Sequence, residues 1–296
     1  MKKQARLLHY LLALFFTTLF TFSVCEYLFK INPIRNFFYP ELSINRNEEY
    51  DPRLNNLNSV SKLESYTDSI TAKTEGTGMS EKALYPVVLC EVVKKRFYDG
   101  LYTYSIGNNF LAYLATKISG RSWNEVWNAN DILKSGNAFC GQQSLVMMNI
   151  LIKKGYQVRA IKMFSKTYNA GHFAFEAYYE GKWHYYDPNM EASSSFLRQR
   201  GYPSFAELGV DKNTTTGLYP FASPLMVSEL FSEYTIGGVN QLMPWHMYLF
   251  QSITKFLSSI SWIICLAMYF LVLRKYSYPF PKIHLAHKAY PQSATA

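Results

Sequence analysis

Apolar and polar positions follow three different rhythms along this chain, and each rhythm predicts a different element. Leu7–Val24 and Phe256–Leu273 are unbroken apolar runs of 18 residues without a formal charge, the length of a membrane-spanning helix. Between them, a spacing near 3.6 predicts helices. Ser80 caps the first of these, with Ala83, Leu84, Val87, Val88, Val92 and Phe97 on one face and Lys94, Lys95 and Arg96 in its last turn. Pro86 inside it predicts a kink or a later start. The stretch NNFLAYLATKISG predicts a second helix ending at Gly120. Leu145, Val146, Met148, Ile150 and Ile152 predict a third, headed by Cys140 and stopped by Gly155. The rhythm then shifts to period two. HFAFEAYYE, opening at His172, and WHYYD, ending at Asp187, read as two strands joined at Glu180-Gly181, which makes a hairpin. Further on, short helices are expected near Ser204–Leu208 and from Ser223, where Pro224 takes the first helical position.

The pattern divides the chain into five parts. Residues 1–25 read as a signal anchor, 26–79 as a solvated linker with little regular structure, and 80–250 as one domain with its core at 80–190. Residues 256–273 read as a second membrane helix and 274–296 as a tail. The linker reading rests on recurring Asn, Ser, Thr and Glu with Pro33, Pro40 and Pro52 interspersed.

Charge changes this picture in one respect. The chain of 296 residues carries a formal +9, which invites a nucleic-acid partner. Eight of its 30 cations lie in the two ends, in 1–25 and 255–296, where no acid occurs. The 22 that remain face all 21 acids, so the middle is nearly neutral. Basic flanks beside apolar runs are a membrane signature, and they place both termini in the cytoplasm and the domain outside, at the periplasmic or cell-surface side. No nucleic-acid footprint remains. The four cysteines suggest no disulfide framework, and Cys90 reads as core. No CxxC pair, Walker loop or HExxH motif occurs, so no metal or nucleotide cofactor is expected.

The candidate chemistry lies in residues 139–188. Cys140 is followed by His172 and then by Asp187, on a helix start, a strand start and a strand end. A helix N-terminus favours an anion, an imidazole can activate a thiol, and a carboxylate can orient the imidazole. The order of Cys at a helix start, Gly171-His172 at a strand, a Gly181-Lys-Trp183 turn and Asp187-Pro188 resembles the transglutaminase-like superfamily. The resemblance covers roughly residues 80–190. It implies an α+β, papain-like core with the Cys helix packed on a small antiparallel sheet, here flanked by two transmembrane helices. It also implies a Cys140-His172-Asp187 triad that acts through a thioester on an amide of a peptide or protein, with the Cys140 backbone N–H as oxyanion donor. Hydrolysis is favoured over crosslinking because the additional β-domains of large crosslinking relatives are missing. A catalytically silent binding module for a peptide or envelope polymer is the alternative. Arylamine N-acetyltransferases share the triad but are soluble, which two membrane spans fit poorly.

Overall fold

The computed structural model of the chain describes residues 2–29, 49–74, 78–189, 192–210, 212–242 and 245–276. Its architecture is α+β. Four antiparallel strands, β1 (Gln157–Ser165), β2 (Ala170–Tyr179), β3 (Lys182–Tyr186) and β4 (Tyr234–Ile236), form one sheet in the order β3-β2-β1-β4. The expected hairpin is β2–β3. Its turn places Glu180 at φ 49° and Gly181 at φ 82°, two successive left-handed residues that match the twist of the flanking strands. Ala174, Phe175, Glu176 and Ala177 are buried in succession. Since neighbouring side chains on a strand point to opposite faces, both faces of the sheet are covered. Strand β1 falls where Arg159 and Lys162 interrupt the apolar rhythm. Strand β4 is only three residues long, and all three are exposed.

Helices α1 (Lys2–Phe29), α2 (Val60–Thr71), α3 (Glu81–Arg96), α4 (Ile106–Ser119), α5 (Ala129–Ile132) and α6 (Cys140–Lys153) precede the sheet. The core is built around α6. Residues 141–148, Ile150 and Leu151 are all buried, so this helix is enclosed around most of its circumference rather than along one stripe. It packs on β1, β2, α3, α2 and α5. Helix α3 starts at Glu81, with Ser80 accepting from the Ala83 N–H, and passes through Pro86. Proline cannot donate to the carbonyl four residues back, here that of Lys82. The Tyr156 hydroxyl donates to that carbonyl instead, at 3.0 Å.

Residues 49–74 correct the linker reading of 26–79. They hold a 3₁₀ turn at Pro52–Asn56 and helix α2, capped by Ser59. Val60, Leu63, Thr67 and Thr71 form the buried stripe of α2. Two of these four are threonines, which hides the stripe in a hydropathy reading. Their hydroxyls satisfy themselves on the carbonyls of Leu63 and Thr67, both at 2.9 Å, so they can be buried. Glu64 and Asp68 then pair with Lys153 and Lys154 at the C-terminus of α6. Residues 30–48 and 277–296, which include most of the expected cytoplasmic tail, lie outside the described residues.

After the sheet hairpin come α7 (Ser194–Gln199), α8 (Phe205–Gly209), α9 (Lys212–Leu218), α10 (Pro224–Ser232) and, beyond β4, α11 (Trp245–Tyr276). Helices α8 and α10 start at the Ser204 and Ser223 caps expected of them. Helix α1 packs along α11 and also touches α4. The His9 and Tyr269 rings meet at 4.5 Å, so the start of α1 lies beside the end of α11. Among the described residues no single helix is long and apolar enough to cross a membrane. Two segments of α11, Trp245–Ser261 and Ile263–Leu271, reach that length and composition together, bent by 45° to each other. Helix α1 carries a shorter apolar stretch, Leu7–Thr21.

Candidate thiol active site

His172 and Asp187 are brought together by the register of the hairpin. Phe175 pairs with Tyr186, and one step further sets Asp187 opposite Ala174. His172 is then the diagonal neighbour on the same face, within reach of a long side chain. The contact is a 2.6 Å bond between His172 Nε2 and Asp187 Oδ2, with the two side chains 4% and 0% exposed.

Asp187 has more partners than the imidazole. Its Oδ2 also accepts from the Tyr219 hydroxyl at 2.8 Å, and its Oδ1 accepts from the Asn189 N–H at 3.0 Å. Burial alone would raise the Asp187 pKa, but the His172 charge and these donors outweigh it and hold the carboxyl below its ordinary range. Tyr219 in turn meets the Tyr185 hydroxyl at 2.5 Å and sets its ring edge-on to His172, 5.4 Å between centroids. Burial, then the Asp187 charge, push both phenols well above their usual pKa, so both stay neutral donors. Tyr219 comes from the loop after α9, and Tyr185 shares the sheet face of Asp187. Nothing in the sequence pattern pointed to either; the abundance of tyrosine, 24 residues, hides the two that matter.

Cys140 is the first residue of α6. It follows Phe139, an N-cap that supplies no side-chain hydrogen bond, so the helix N-terminus is uncapped. Cys140 is partly exposed, unlike Cys90 and Cys265, and all three are free thiols. One turn on, Ser144 Oγ donates to the Phe173 carbonyl at 3.3 Å, tying the first turns of α6 to the residue after His172. Cys140 and Ser144 are four apart and share a helix face. Gln142 is fully committed. Its Oε1 accepts from the Tyr102 N–H at 3.0 Å, and its Nε2 donates to the Tyr102 and Val126 carbonyls at 2.7 and 2.8 Å. That leaves no Gln142 hydrogen for a ligand.

Cys90 sits behind the site. Its Sγ lies 3.8 Å from the Asp187 carbonyl oxygen, and burial pushes its thiol pKa far up. It is a core residue, as its helix face suggested.

Compared with known proteins, the chain matches no family model, no curated protein and no solved structure. The arrangement of groups therefore carries the functional reading by itself.

Proposed function

We propose that this protein is a membrane-anchored thiol acyl-transfer enzyme of transglutaminase-like type, with Cys140 as nucleophile, His172 as base and then acid, and Asp187 as the group that orients the imidazole. The single observation that carries the reading is the buried His172–Asp187 bond, beside a strand residue tied to the helix that Cys140 heads. Asp187 takes Nε2, so Nδ1 is the nitrogen that exchanges the proton.

Cys140 gives its thiol proton to His172 as its sulfur adds to the carbonyl carbon of an amide, and the oxyanion is held by the Cys140 N–H at the uncapped helix end. His172 passes its proton to the nitrogen as the C–N bond breaks, releasing an amine and leaving a thioester. Water then attacks, gives a proton to His172, and the C–S bond breaks to release a carboxylic acid and restore the thiol. An amine in place of water gives crosslinking. Water is the favoured acceptor, and a peptide or protein amide the favoured substrate.

The anchoring part of the proposal is supported by the polarity of α11. Within 256–273, Ser258 is buried towards the domain, whereas Phe256, Leu257, Ile263, Ile264, Met268 and Leu271 are exposed. Polar side inward and apolar side outward is the order expected of a helix surrounded by lipid. The antiparallel contact of α1 with α11 supports two spans with both ends in the cytoplasm and residues 26–254 outside.

A thiol-directed amide mimic tests the chemistry. Cys140→Ala should lose covalent labelling entirely. His172→Ala should remain folded and lose about 10²–10⁴-fold in turnover. Asp187→Asn should keep nucleophile and base and suffer less than either. If all three variants turned over substrate like wild type, the enzyme reading would be lost to the binding module.

A further inference from the structure

Gln251 on α11 makes four hydrogen-bonded links to the domain. Its Nε2 donates to the carbonyls of Trp123 and Glu125, at 3.3 and 2.6 Å, its Oε1 accepts from the Trp127 N–H at 3.3 Å, and its own carbonyl accepts from Asn109 Nδ2 at 3.4 Å. Three of these go to residues 123–127. Within that loop, Val126 has its carbonyl held by Gln142, two positions from Cys140. Trp127 also sets its ring edge-on to Phe139, the residue before Cys140. A short chain of bonds therefore runs from α11 through one loop to the head of α6.

The rest of the α11 face reinforces this link. Asn109 leaves the helical conformation inside α4, at φ −159° and ψ 74°, and reaches Thr254 Oγ1 at 3.1 Å and Ser258 Oγ at 3.2 Å. Lys255 donates to Asp131 at 2.5 Å, which the Tyr104 hydroxyl also holds at 2.7 Å. Gln251, Thr254, Lys255 and Ser258 are spaced as one helix face, and all of it is used for docking. Over the same turns the opposite face exposes Ile253, Phe256 and Leu257. Helix α4, held by this docking, adds Leu114 at 44% and Ile118 at 85% exposure.

We infer that the Cys140 site stands at the bilayer surface and takes an amide carried on a lipid-anchored molecule. The inference rests on the membrane reading of α11 given above. If α11 is a span, its lipid-facing side begins beside the residues that grip the 123–127 loop. From Gln251 to the apolar run at Phe256 is five residues, about 7.5 Å of helix. One peptide unit, ~3.8 Å, separates Val126 from Trp127. Cys140 then stands on the order of 20 Å from the start of the hydrocarbon, linked to it by these hydrogen bonds and the Trp127–Phe139 contact. A freely tethered domain would sample many heights above a membrane; this one holds its site at a single height close to the surface. Such a site meets substrates whose reactive bond is also held near the surface by a lipid tail.

The test uses the full chain in lipid vesicles and a maleimide attached to a diacyl lipid, which reports thiol access without requiring catalysis. Two spacers are compared, one of about 10 Å and one of about 40 Å, the latter exceeding the ~30 Å breadth of a small domain. Peptide mapping resolves which cysteine is modified. A Lys153→Cys variant, substituted at the far end of α6, supplies the reference thiol. The expected result is that the short spacer modifies Cys140 within about threefold of the rate of the long one, while the reference thiol favours the long spacer. Modification of Cys140 by the long spacer alone would overturn the inference while leaving the thiol chemistry intact. Release of the chain from vesicles by alkaline carbonate would overturn both the inference and the membrane reading. Loss of amide-mimic labelling with unchanged maleimide access would instead remove the catalytic reading.

Discussion

Asp187 is the residue on which most of the site converges. It accepts from an imidazole, a phenol and a backbone N–H while fully buried. A buried carboxylate with good donors is a stable anion, and removing one donor leaves charge under-satisfied. Its folded pKa is depressed. The stability it contributes is therefore present above the unfolded carboxylate pKa, about 3.9, and is lost as pH falls through the folded value. Tyr219→Phe removes one of the effects that lower the folded pKa. The variant should lose about 1.5–3 kcal/mol at neutral pH, and its acid unfolding should begin at a higher pH than that of wild type. Urea titrations at a series of pH values would check both. An unchanged acid limb would mean that the phenol does not support the carboxylate.

At the scale of elements, the helix that carries Cys140 is held at both ends. Its N-terminal turns are tied to β2 by Ser144 and to the 102 and 126 loops by Gln142, and its C-terminal lysines pair with α2. Helix α3 shows how a local defect is repaired from a distance, since the carbonyl that Pro86 orphans takes the Tyr156 hydroxyl. Tyr156→Phe should cost about 1 kcal/mol, the worth of one hydrogen bond, with the far-UV spectrum unchanged. A chemical-denaturation midpoint no lower than wild type's would show that water satisfies the Lys82 carbonyl equally well.

At the scale of the whole molecule, Glu125 reports on the junction between the domain and α11. Its carbonyl is gripped by Gln251, and burial pushes its side-chain pKa up to about 7. An acid that keeps its proton longer when folded makes stability fall as pH rises from the unfolded value, about 4.3, to about 7. Glu125→Gln should match wild type near pH 4 and exceed it near pH 8, by roughly 1 kcal/mol after discounting for partial exposure. Thermal unfolding in detergent at the two pH values distinguishes this from a general stabilisation. Topology is the other prediction at this scale. Reporter fusions after Ser80 should read outside and fusions after Ala296 inside; an external signal at Ala296 would remove the two-span arrangement.

Alone, the sequence determined those features that repeat at short range. The caps at Ser80, Ser204 and Ser223, the stop at Gly120, the I′ hairpin at Glu180-Gly181 and the helix headed by Cys140 all follow from local rules. The His172–Asp187 pair was legible for the same reason, because a two-residue turn fixes the register of the strands on either side. Tertiary structure alone decided the remainder. Helix α2 was hidden because Thr67 and Thr71 look polar in a sequence and become core only when their hydroxyls fold back on their own helix. Tyr219 approaches Asp187 across 32 residues of chain, and Gln251 grips a loop more than a hundred residues away. Such partners are selected by packing, and a pattern of neighbouring residues carries no record of them.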